Sequence, residues 1–218
     1  MTDHLRDSQR STVKVKRIAG KAFSSNIYII QSQKNFIVDA GAGPIKRVVD
    51  YVDDNELDID RIILSHRHFD HVGGAEQLSE ALDAPLYAHE LAAEALREGD
   101  DRTIISGSFG KKMQSLDVKT FDEETYAGFY KIYTPGHTDC SICLYHGGEK
   151  ILISGDTVFS GGGVGRTDLP TGDLEELRRS LEKLTRYDVH SLYPGHGPAE
   201  KKRANQHIKL SSRNLSYL

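Results

Sequence analysis

One short segment constrains this chain more than any other: the run Ser-His-Arg-His-Phe-Asp-His at residues 65–71. It directly follows Arg-Ile-Ile-Leu at 61–64. The β-branched, mainly apolar composition and short length of that run predict a buried strand that ends just before the histidines. Side chains two positions apart on a strand share a face, so His66 and His68 are expected to point to the same side. Two neutral imidazoles on one face predict a transition-metal site.

The end of the same segment has two compatible interpretations. Asp70 and His71 lie where the chain turns into a helical pattern over 72–82, and from there they can reach a second metal ion. An aspartate at this place can also cap the helix N-terminus, and a lone histidine is usually a surface or core residue. Because three of the chain's ten histidines fall within six residues, we interpret the segment as metal-binding.

The size and charge of the chain narrow its class. A chain of 218 residues is long enough for one substantial core, and we expect a single α/β domain over 13–218 after a polar lead-in over 1–12. A net charge of -4 lacks the basic field that drives nucleic-acid binding. No apolar run approaches the ~18 residues needed to cross a bilayer, and the polar start lacks a signal-peptide apolar region. We therefore expect a soluble, cytoplasmic protein that binds neither nucleic acid nor membrane.

Cys140 and Cys143 are the chain's two cysteines. They lie three positions apart in a predicted strand and therefore face opposite sides, which argues against a disulfide between them. A redox role for this Cys-x-x-Cys spacing is disfavoured, because the βα turn that usually carries such a motif is missing.

Period-two and period-three-to-four patterns alternate along the chain and predict mixed strands and helices. Strands are predicted over 13–18, 26–30, 36–39, 61–64, 86–88, 118–121, 129–133, 141–145, 151–154 and 189–193. Helices are predicted from Pro44 to about residue 52 and over 72–82, 90–97, 174–184 and 199–218. Residues 99–116 lose all periodicity, which predicts a surface loop that is either a plain excursion or a flap over the site.

Three more candidate ligands follow predicted strands, namely His137, Asp156 and His196, and each comes directly after a glycine that permits close approach. With the 65–71 run they make five imidazoles and two carboxylates, which is more than one ion needs. The inventory fits two divalent ions about 3.5 Å apart, sharing a bridging carboxylate and a bridging hydroxide. Zinc suits these donors, with iron or manganese as alternatives.

The order of these motifs resembles the metallo-β-lactamase superfamily. The resemblance rests on Asp39 in Val-Asp-Ala-Gly, the His-x-His-x-Asp-His run, and the three ligands downstream, and it extends over about 13–198. It implies a four-layer αβ/βα sandwich with the metals at one edge. By the family pattern, the first ion is held by His66, His68 and His137, the second by Asp70, His71 and His196, and Asp156 bridges them. Asp39 is then either an acceptor from a ligating histidine or a turn-stabilising residue.

Further motifs narrow the resemblance to one group within the superfamily. Thr-Pro-Gly-His-Thr at 134–138, Gly-Asp-Thr at 155–157 and Gly-Arg-Thr-Asp-Leu-Pro at 165–170 resemble the hydroxyacylglutathione hydrolases, or glyoxalase II enzymes. The lactamases match less well, because the position of Asp156 is a cysteine in many of them. The resemblance implies hydrolysis of a small-molecule thioester by a metal-bridging hydroxide, which Asp70 can orient.

Substrate recognition by this chain is expected to differ from that of the longer glyoxalase II enzymes. Those enzymes carry a C-terminal helical extension that contacts glutathione, whereas this chain has 22 residues after His196. Arg166 is a candidate site residue that contacts an anionic substrate, and the lysine pair 111–112 is a weaker candidate. The structural alternative for Arg166 is an ion pair with Asp168 or Asp173.

Two rival functions stay open. A mononuclear iron persulfide dioxygenase would use His66, His137 and Asp156 alone, which is a two-histidine, one-carboxylate arrangement with open positions for oxygen. The Gly-Arg-Thr-Asp segment is shared with that group. A non-catalytic metal-binding scaffold on the same fold is the other rival. The sequence leaves the oligomeric state open, with a homodimer as one candidate.

Overall fold

The structure, a computed structural model, describes residues 12–43 and 45–215. Its first sheet has six strands, paired in chain order: β1 Lys14–Ile18, β2 Ile27–Gln31, β3 Asn35–Val38, β4 Ile59–Leu64, β5 Leu86–Ala88 and β6 Val118–Thr120. β1 to β3 form an antiparallel meander, whereas β3 to β6 pair in parallel. Parallel neighbours need long crossovers, and helical segments fill the connections from β3 to β6.

The second sheet repeats this plan with five strands: β7 Thr125–Tyr126, β8 Phe129–Tyr133, β9 Ile142–His146, β10 Ile151–Gly155 and β11 Ser191–Pro194. Strands β7 to β10 form an antiparallel meander, and β11 joins the edge in parallel with β10. The predicted strand over 189–193 therefore begins two residues later, and β7 is a strand that the sequence pattern did not predict.

The helices lie outside the two sheets. They are α1 Lys46–Asp54, α2 Phe69–Val72, α3 Ala75–Leu82, α4 Glu90–Glu98, α5 Asp101–Ile104, α6 Leu174–Leu184 and α7 Ala204–Leu215. Helices α1, α3 and α4 pack on the first sheet, and α6 and α7 pack on the second. None of the described helices combines the length and the apolar character needed to cross a bilayer.

Alternating side chains of the strands build the layers. In β4, Ile62 and Leu64 pack under the helices, whereas Ile63 faces the second sheet. Between the sheets, Phe36 meets Phe129 edge to face with ring centroids 5.4 Å apart. Apolar layers therefore separate each sheet from its helices and the two sheets from each other, and the four-layer αβ/βα sandwich implied by the resemblance is confirmed.

Several predicted elements differ from the structure. The helix predicted over 72–82 is divided by Gly73 and Gly74, where a Cβ on Gly74 would lie 2.7 Å from the Ala40 carbonyl oxygen. The stretch predicted as a loop over 99–116 contains α5 and a 3-10 turn at Ser106–Phe109. The terminal helix starts at Ala204, five residues later than predicted.

Three sequence predictions fall wholly or partly outside the described residues: Pro44 at the start of α1, nearly all of the lead-in over 1–12, and residues 216–218 of the predicted terminal helix. The two cysteines are buried, and both are free, as the argument against a disulfide between them predicts. Cys140 packs in the core under the helices of the first sheet and Cys143 in the core under α6 and α7, so they face different layers.

Candidate metal centre

All seven side chains predicted as ligands come together at one edge of the sandwich, and we call this set the metal cluster. It has two groups, within each of which one donor atom per residue lies within 4.8 Å of the others. The groups are His66, His68 and His137, and Asp70, His71, Asp156 and His196. Five of the seven are buried. The structure therefore brings together residues separated by up to 130 positions in sequence.

Strand direction explains why these side chains meet. Strands β8, β10 and β11 run in the same direction, so their carboxyl ends lie at one edge of the second sheet. His137, Asp156 and His196 follow those ends. The other four ligands follow β4 of the first sheet and continue into α2, whose first turn carries Asp70.

Hydrogen bonds to one ring nitrogen leave the other nitrogen free to bind a metal. His137 Nδ1 lies 2.7 Å from the Arg166 carbonyl oxygen, which can only accept, so Nδ1 carries the proton and Nε2 presents its lone pair. His71 Nδ1 lies 2.8 Å from the Asp39 carboxylate and donates to it in the same way. Asp39 therefore takes the role of acceptor from a ligating histidine.

Ser65 extends this arrangement to a further ligand. Its hydroxyl donates to Asp39 Oδ2 over 2.9 Å, and its oxygen lies 3.1 Å from His66 Nδ1. His66 therefore presents Nε2. His68 Nδ1 and His137 Nε2 lie 2.9 Å apart, close enough for both ring nitrogens to bind one ion.

Unpartnered polar atoms test whether the cluster fits a metal. The Nε2 atoms of His66 and His71 and the Oδ1 atom of Asp156 are buried and lack a well-aligned hydrogen bond partner. Such an atom costs roughly 1–3 kcal/mol when nothing binds it. Asp156 lies between the two groups, with Oδ1 3.2 Å from His71 Nε2 of the second group and Oδ2 3.6 Å from His137 Nε2 of the first. The donor set fits two cations with a shared carboxylate.

The protonation states agree with this fit. Burial lowers the pKa of His68 to about 3, with help from the neighbouring His137, and burial also holds the pKa of His66 well below its usual value. Burial would raise the pKa of Asp156, but His71, His137 and His196 together outweigh it and lower that pKa. Neutral imidazoles and ionised carboxylates are the forms that bind metal ions.

The second group stabilises positive charge. Burial alone would lower the pKa of His71, yet the carboxylates of Asp156, Asp39 and Asp70 outweigh burial and raise that pKa well above its ordinary value. Three carboxylates around one buried ring mark a place where a cation is stabilised. We therefore interpret the cluster as a metal-binding centre.

Arg166 lies at the rim of the cavity beside the cluster and forms an ion pair with Asp168. Its Nε and Nη2 atoms donate to the two carboxylate oxygens of Asp168 over 2.9 and 2.7 Å, so the structural alternative for this residue is confirmed. A contact with substrate stays a prediction. Asp173 instead caps α6 by accepting from the Glu176 N–H, and the lysine pair 111–112 lines a different cavity.

Arg67 is a site residue that the sequence pattern missed. It lies between two ligands, its side chain is 5% exposed, and it forms an ion pair with Asp139. Its Nε donates to Cys140 Sγ over 3.2 Å and its Nη1 to Thr103 Oγ1 over 3.3 Å. Arg67 thus joins the histidine segment to the loop after β8 and to α5. A charged residue inside a buried segment requires such partners. The arginine between two predicted ligands was therefore the sequence signal that could have revealed this role.

Comparisons with known proteins agree on the family. The sequence model described as metallo-beta-lactamase superfamily matches residues 20–196. A probable metallo-hydrolase from Methanocaldococcus jannaschii is 36% identical over 207 residues, which cover 90% of this chain and 98% of that one. Hydroxyacylglutathione hydrolase GloC from Haemophilus influenzae is 28% identical over 210 residues, covering 88% and 96%.

Solved structures give the same result for the fold. The crystal structure of TTHA1623 in a di-iron-bound form has a TM-score of 0.78 and 28% identity, and the match covers 94% of this chain and 100% of that one. This chain belongs to the metallo-β-lactamase superfamily.

Proposed function

We propose that the protein is a metal-dependent thioester hydrolase of the hydroxyacylglutathione hydrolase type. The observation that carries the proposal is the cluster of seven donors with unpartnered buried atoms of His66, His71 and Asp156. The name of the Haemophilus influenzae relative, a hydroxyacylglutathione hydrolase, supports thioesters as the substrate class. In this reaction water adds to the thioester carbonyl, the carbon–sulfur bond breaks, and a carboxylic acid and a thiol leave.

The cluster would hold two ions. His66, His68 and His137 would hold the first, Asp70, His71 and His196 would hold the second, and Asp156 would bind both. Two divalent ions in such a site lower the pKa of bound water to about 7 and stabilise charge on a carbonyl oxygen. Zinc is the ion we propose, and the di-iron form of the solved relative keeps iron as the alternative.

Asp70 is the side chain we propose to orient the attacking water. Burial would raise its pKa, but His71 and His196 outweigh burial and keep the carboxyl ionised. Its Oδ2 lies 2.9 Å from His196 Nε2. An ionised carboxylate in this place accepts a hydrogen bond from the water and directs the oxygen lone pair at the carbonyl carbon. The two cysteines are buried and do not line the cavity, so neither thiol can attack the substrate, and water is the nucleophile in this proposal.

An assay of metal-dependent thioester cleavage tests the proposal. The zinc-loaded protein is expected to release thiol from S-D-lactoylglutathione or from the lactoyl thioester of N-acetylcysteamine, and the metal-free protein is expected to release none. The released thiol is measured with a chromogenic disulfide reagent. Failure of the zinc-loaded protein to cleave either thioester would overturn the proposed function.

Replacing Arg166 tests its predicted contact with an acidic substrate. The Arg166→Ala variant should raise KM for an acidic thioester several-fold at unchanged kcat if the side chain contacts the substrate, and should leave KM unchanged if it only pairs with Asp168. Steady-state kinetics with S-D-lactoylglutathione measure both constants. An unchanged KM would leave Arg166 only its ion pair with Asp168.

The number of bound ions separates this function from the dioxygenase alternative. The mononuclear enzyme would need His66, His137 and Asp156 alone, whereas four further donors lie in the same cluster. That surplus supports two ions. Elemental analysis of the purified protein is expected to find two metal ions per chain, and a single iron per chain would support the dioxygenase instead.

A further inference from the structure

A cavity of about 360 Å³ opens beside the metal cluster, and we call it the site cavity. Its ligand side is formed by His68, Asp70, His137, Asp156 and His196, and Arg166 stands at its rim. The remaining side chains that line it are apolar: Ala22, Phe23, Ile105, Phe109, Phe159, Val164 and Leu169. A molecule that reacts at the cluster must therefore place its other groups against these walls.

The apolar walls come from separate parts of the chain. Phe23 belongs to the connection between β1 and β2 and is 80% exposed. Phe109 follows α5 and packs against Phe69 with ring centroids 5.2 Å apart. Phe159 lies edge to face with His196 at 6.1 Å. Aromatic rings held against the ligand segments give the cavity fixed apolar surfaces next to the reacting group.

Ile105 is held in the site cavity at a conformational cost. Its φ is +55°, a left-handed conformation that is unfavourable for a β-branched residue and that glycine or asparagine adopts more easily. The side chain is half-buried and lines the cavity. Backbone strain of this kind concentrates at functional sites. An isoleucine in this position supplies apolar contact where a turn residue would supply none.

Charge in the site cavity is nearly absent outside the metal cluster. Across the described part of the chain, Arg166 is the one other charged side chain lining it, and its guanidinium already pairs with both carboxylate oxygens of Asp168. The basic pair 111–112 lines a separate cavity with Val72 and Glu76. A thiol carrier with several charges, such as glutathione, would lose hydration there without gaining partners.

From these observations we infer that the substrate is a thioester whose thiol portion is uncharged and apolar. The inference rests on the proposed hydrolase function and adds the substrate class to it. Phe109, Phe159 and Ile105 determine this specificity, because they present apolar surface to the site cavity beside the ligands. The acyl carbonyl lies at the metal cluster, and the thiol portion lies along the aromatic walls.

The test uses two non-hydrolysable thioethers that share the S-hexyl tripeptide skeleton, one with its charged groups free and one with them blocked. S-hexylglutathione carries two carboxylates and an ammonium group, and its N-acetylated bis(methylamide) carries none. Calorimetric titration of the zinc-loaded protein is expected to give a Kd at least tenfold lower for the uncharged compound. Equal affinities, or tighter binding of the charged compound, would overturn the inference.

Three variants test the walls with the uncharged thioether. Phe109→Ala and Phe159→Ala are expected to raise its Kd about tenfold, since each removes an aromatic contact. Ile105→Asn keeps the left-handed backbone and is expected to raise the Kd several-fold with no loss of thermal stability. Tyr130→Ala, which removes an exposed aromatic ring outside the site cavity, is the matched control and is expected to bind like the wild type. Wild-type affinity in all three wall variants would overturn the inference.

Hydrolysis is measured separately on the corresponding thioesters. If the uncharged thioether binds as expected and no thioester is cleaved, the proposed hydrolase function fails while the binding preference of the cavity stands. If thioesters are cleaved and the glutathione derivative is the better substrate by kcat/KM, the hydrolase function stands and the inferred substrate class is wrong.

Discussion

At the scale of single residues, Asp39 orients the rings of His66 and His71 through hydrogen bonds on the side away from the metal-binding nitrogens. Its carboxylate accepts from the Ser65 N–H over 2.7 Å, from the Ser65 hydroxyl over 2.9 Å and from His71 Nδ1 over 2.8 Å. Through Ser65 it also fixes His66. Its φ of +63° lies in the left-handed region, which aspartate and asparagine adopt more readily than most residues. One buried carboxylate therefore sets the orientation of a ligand in each group of the cluster.

Replacing Asp39 tests this orienting role. An asparagine in its place would tolerate the same backbone conformation, but its single amide oxygen cannot accept all three hydrogen bonds. We expect Asp39→Asn to lower zinc affinity roughly 10–100-fold, the usual effect of losing a partner of a ligating histidine. Competition with a chromophoric chelator measures the affinity.

The matched control is Asp83→Asn. Asp83 is an exposed aspartate that also has a left-handed φ, +49°, but it ends α3 away from the cluster. The same substitution there is expected to leave zinc affinity within about twofold of the wild type, because no ligand depends on it. Unchanged affinity in Asp39→Asn would contradict the orienting role.

At the scale of secondary-structure elements, glycines let strand ends approach the cluster. A Cβ on Gly195, at the end of β11, would lie 2.1 Å from Asp156 Oδ1 and 2.6 Å from His71 Cε1. A Cβ on Gly136 would lie 2.2 Å from the Leu177 backbone nitrogen. The predicted role of the glycines before the ligands is therefore confirmed at the end of β11, whereas Gly136 lets the end of β8 approach α6.

Gly195→Ala is expected to break the cluster. The added methyl would displace Asp156 or the end of β11, because neither the carboxylate nor the backbone can give way by the required distance. We expect fewer than two zinc ions per chain and little thioester cleavage, measured by elemental analysis and thiol release. Gly107→Ala, where a Cβ would have nothing within 4 Å, is the control. Two tightly bound ions in Gly195→Ala would show that the close packing is not required.

A second element-scale contact joins the two sheets. The Tyr126 hydroxyl of β7 donates to the Asp60 carboxylate of β4, which Lys34 also contacts at 2.9 Å. The hydrogen bond from Tyr126 is the largest of the causes that lower the pKa of Asp60 from 3.8 to about 2. A folded-state pKa below the unfolded value stabilises the fold above about pH 4, and that stability is lost as the pH falls towards 2.

Asp60→Asn is expected to flatten this acid dependence. The metal-free wild type should lose on the order of 1 kcal/mol more unfolding free energy between pH 4 and pH 2 than the variant, after allowance for solvent screening. Urea titrations at a series of pH values measure the difference. Tyr126→Phe should show an intermediate slope, and parallel curves for the wild type and Asp60→Asn would contradict the linkage.

At the scale of the whole molecule, the metal cluster joins the two sheets. Four ligands follow β4 of the first sheet, and the other three follow strands of the second. An ion bound between them would connect segments that are far apart in the chain. Because the unfolded chain does not hold the seven donors together, metal binding favours the folded state.

Metal removal is therefore expected to destabilise the protein. At a free zinc concentration 100 times the Kd, one site contributes about 2.7 kcal/mol, and for a chain of this size the Tm should fall by roughly 5–10 °C on removal. Differential scanning calorimetry with and without zinc measures the change. Calcium is the control and should not restore the Tm, because it prefers oxygen donors. An unchanged Tm after removal would contradict the coupling.

The sequence by itself determined the ligands and most of the strands. The histidine run, the glycines before His137 and His196, and the period-two strands are each encoded within a few neighbouring residues, so they could be read locally. The same local patterns led to the family resemblance and hence to the layered fold. Where local pattern and packing disagreed, as at Gly73 and in 99–116, the sequence-based prediction of the element was wrong.

Only the tertiary structure decided which distant groups meet. Arg67 contacts Asp139 across 72 positions, Ile105 and Phe109 line the site cavity, and the lysine pair 111–112 lies outside it. No pattern within one segment carries such information, because a side chain finds these partners only after both sheets have packed and brought their loops to one edge. The identity of the ligands is thus encoded in local sequence, whereas the apolar lining of the site cavity, from which we infer the substrate class, is formed only by the packing.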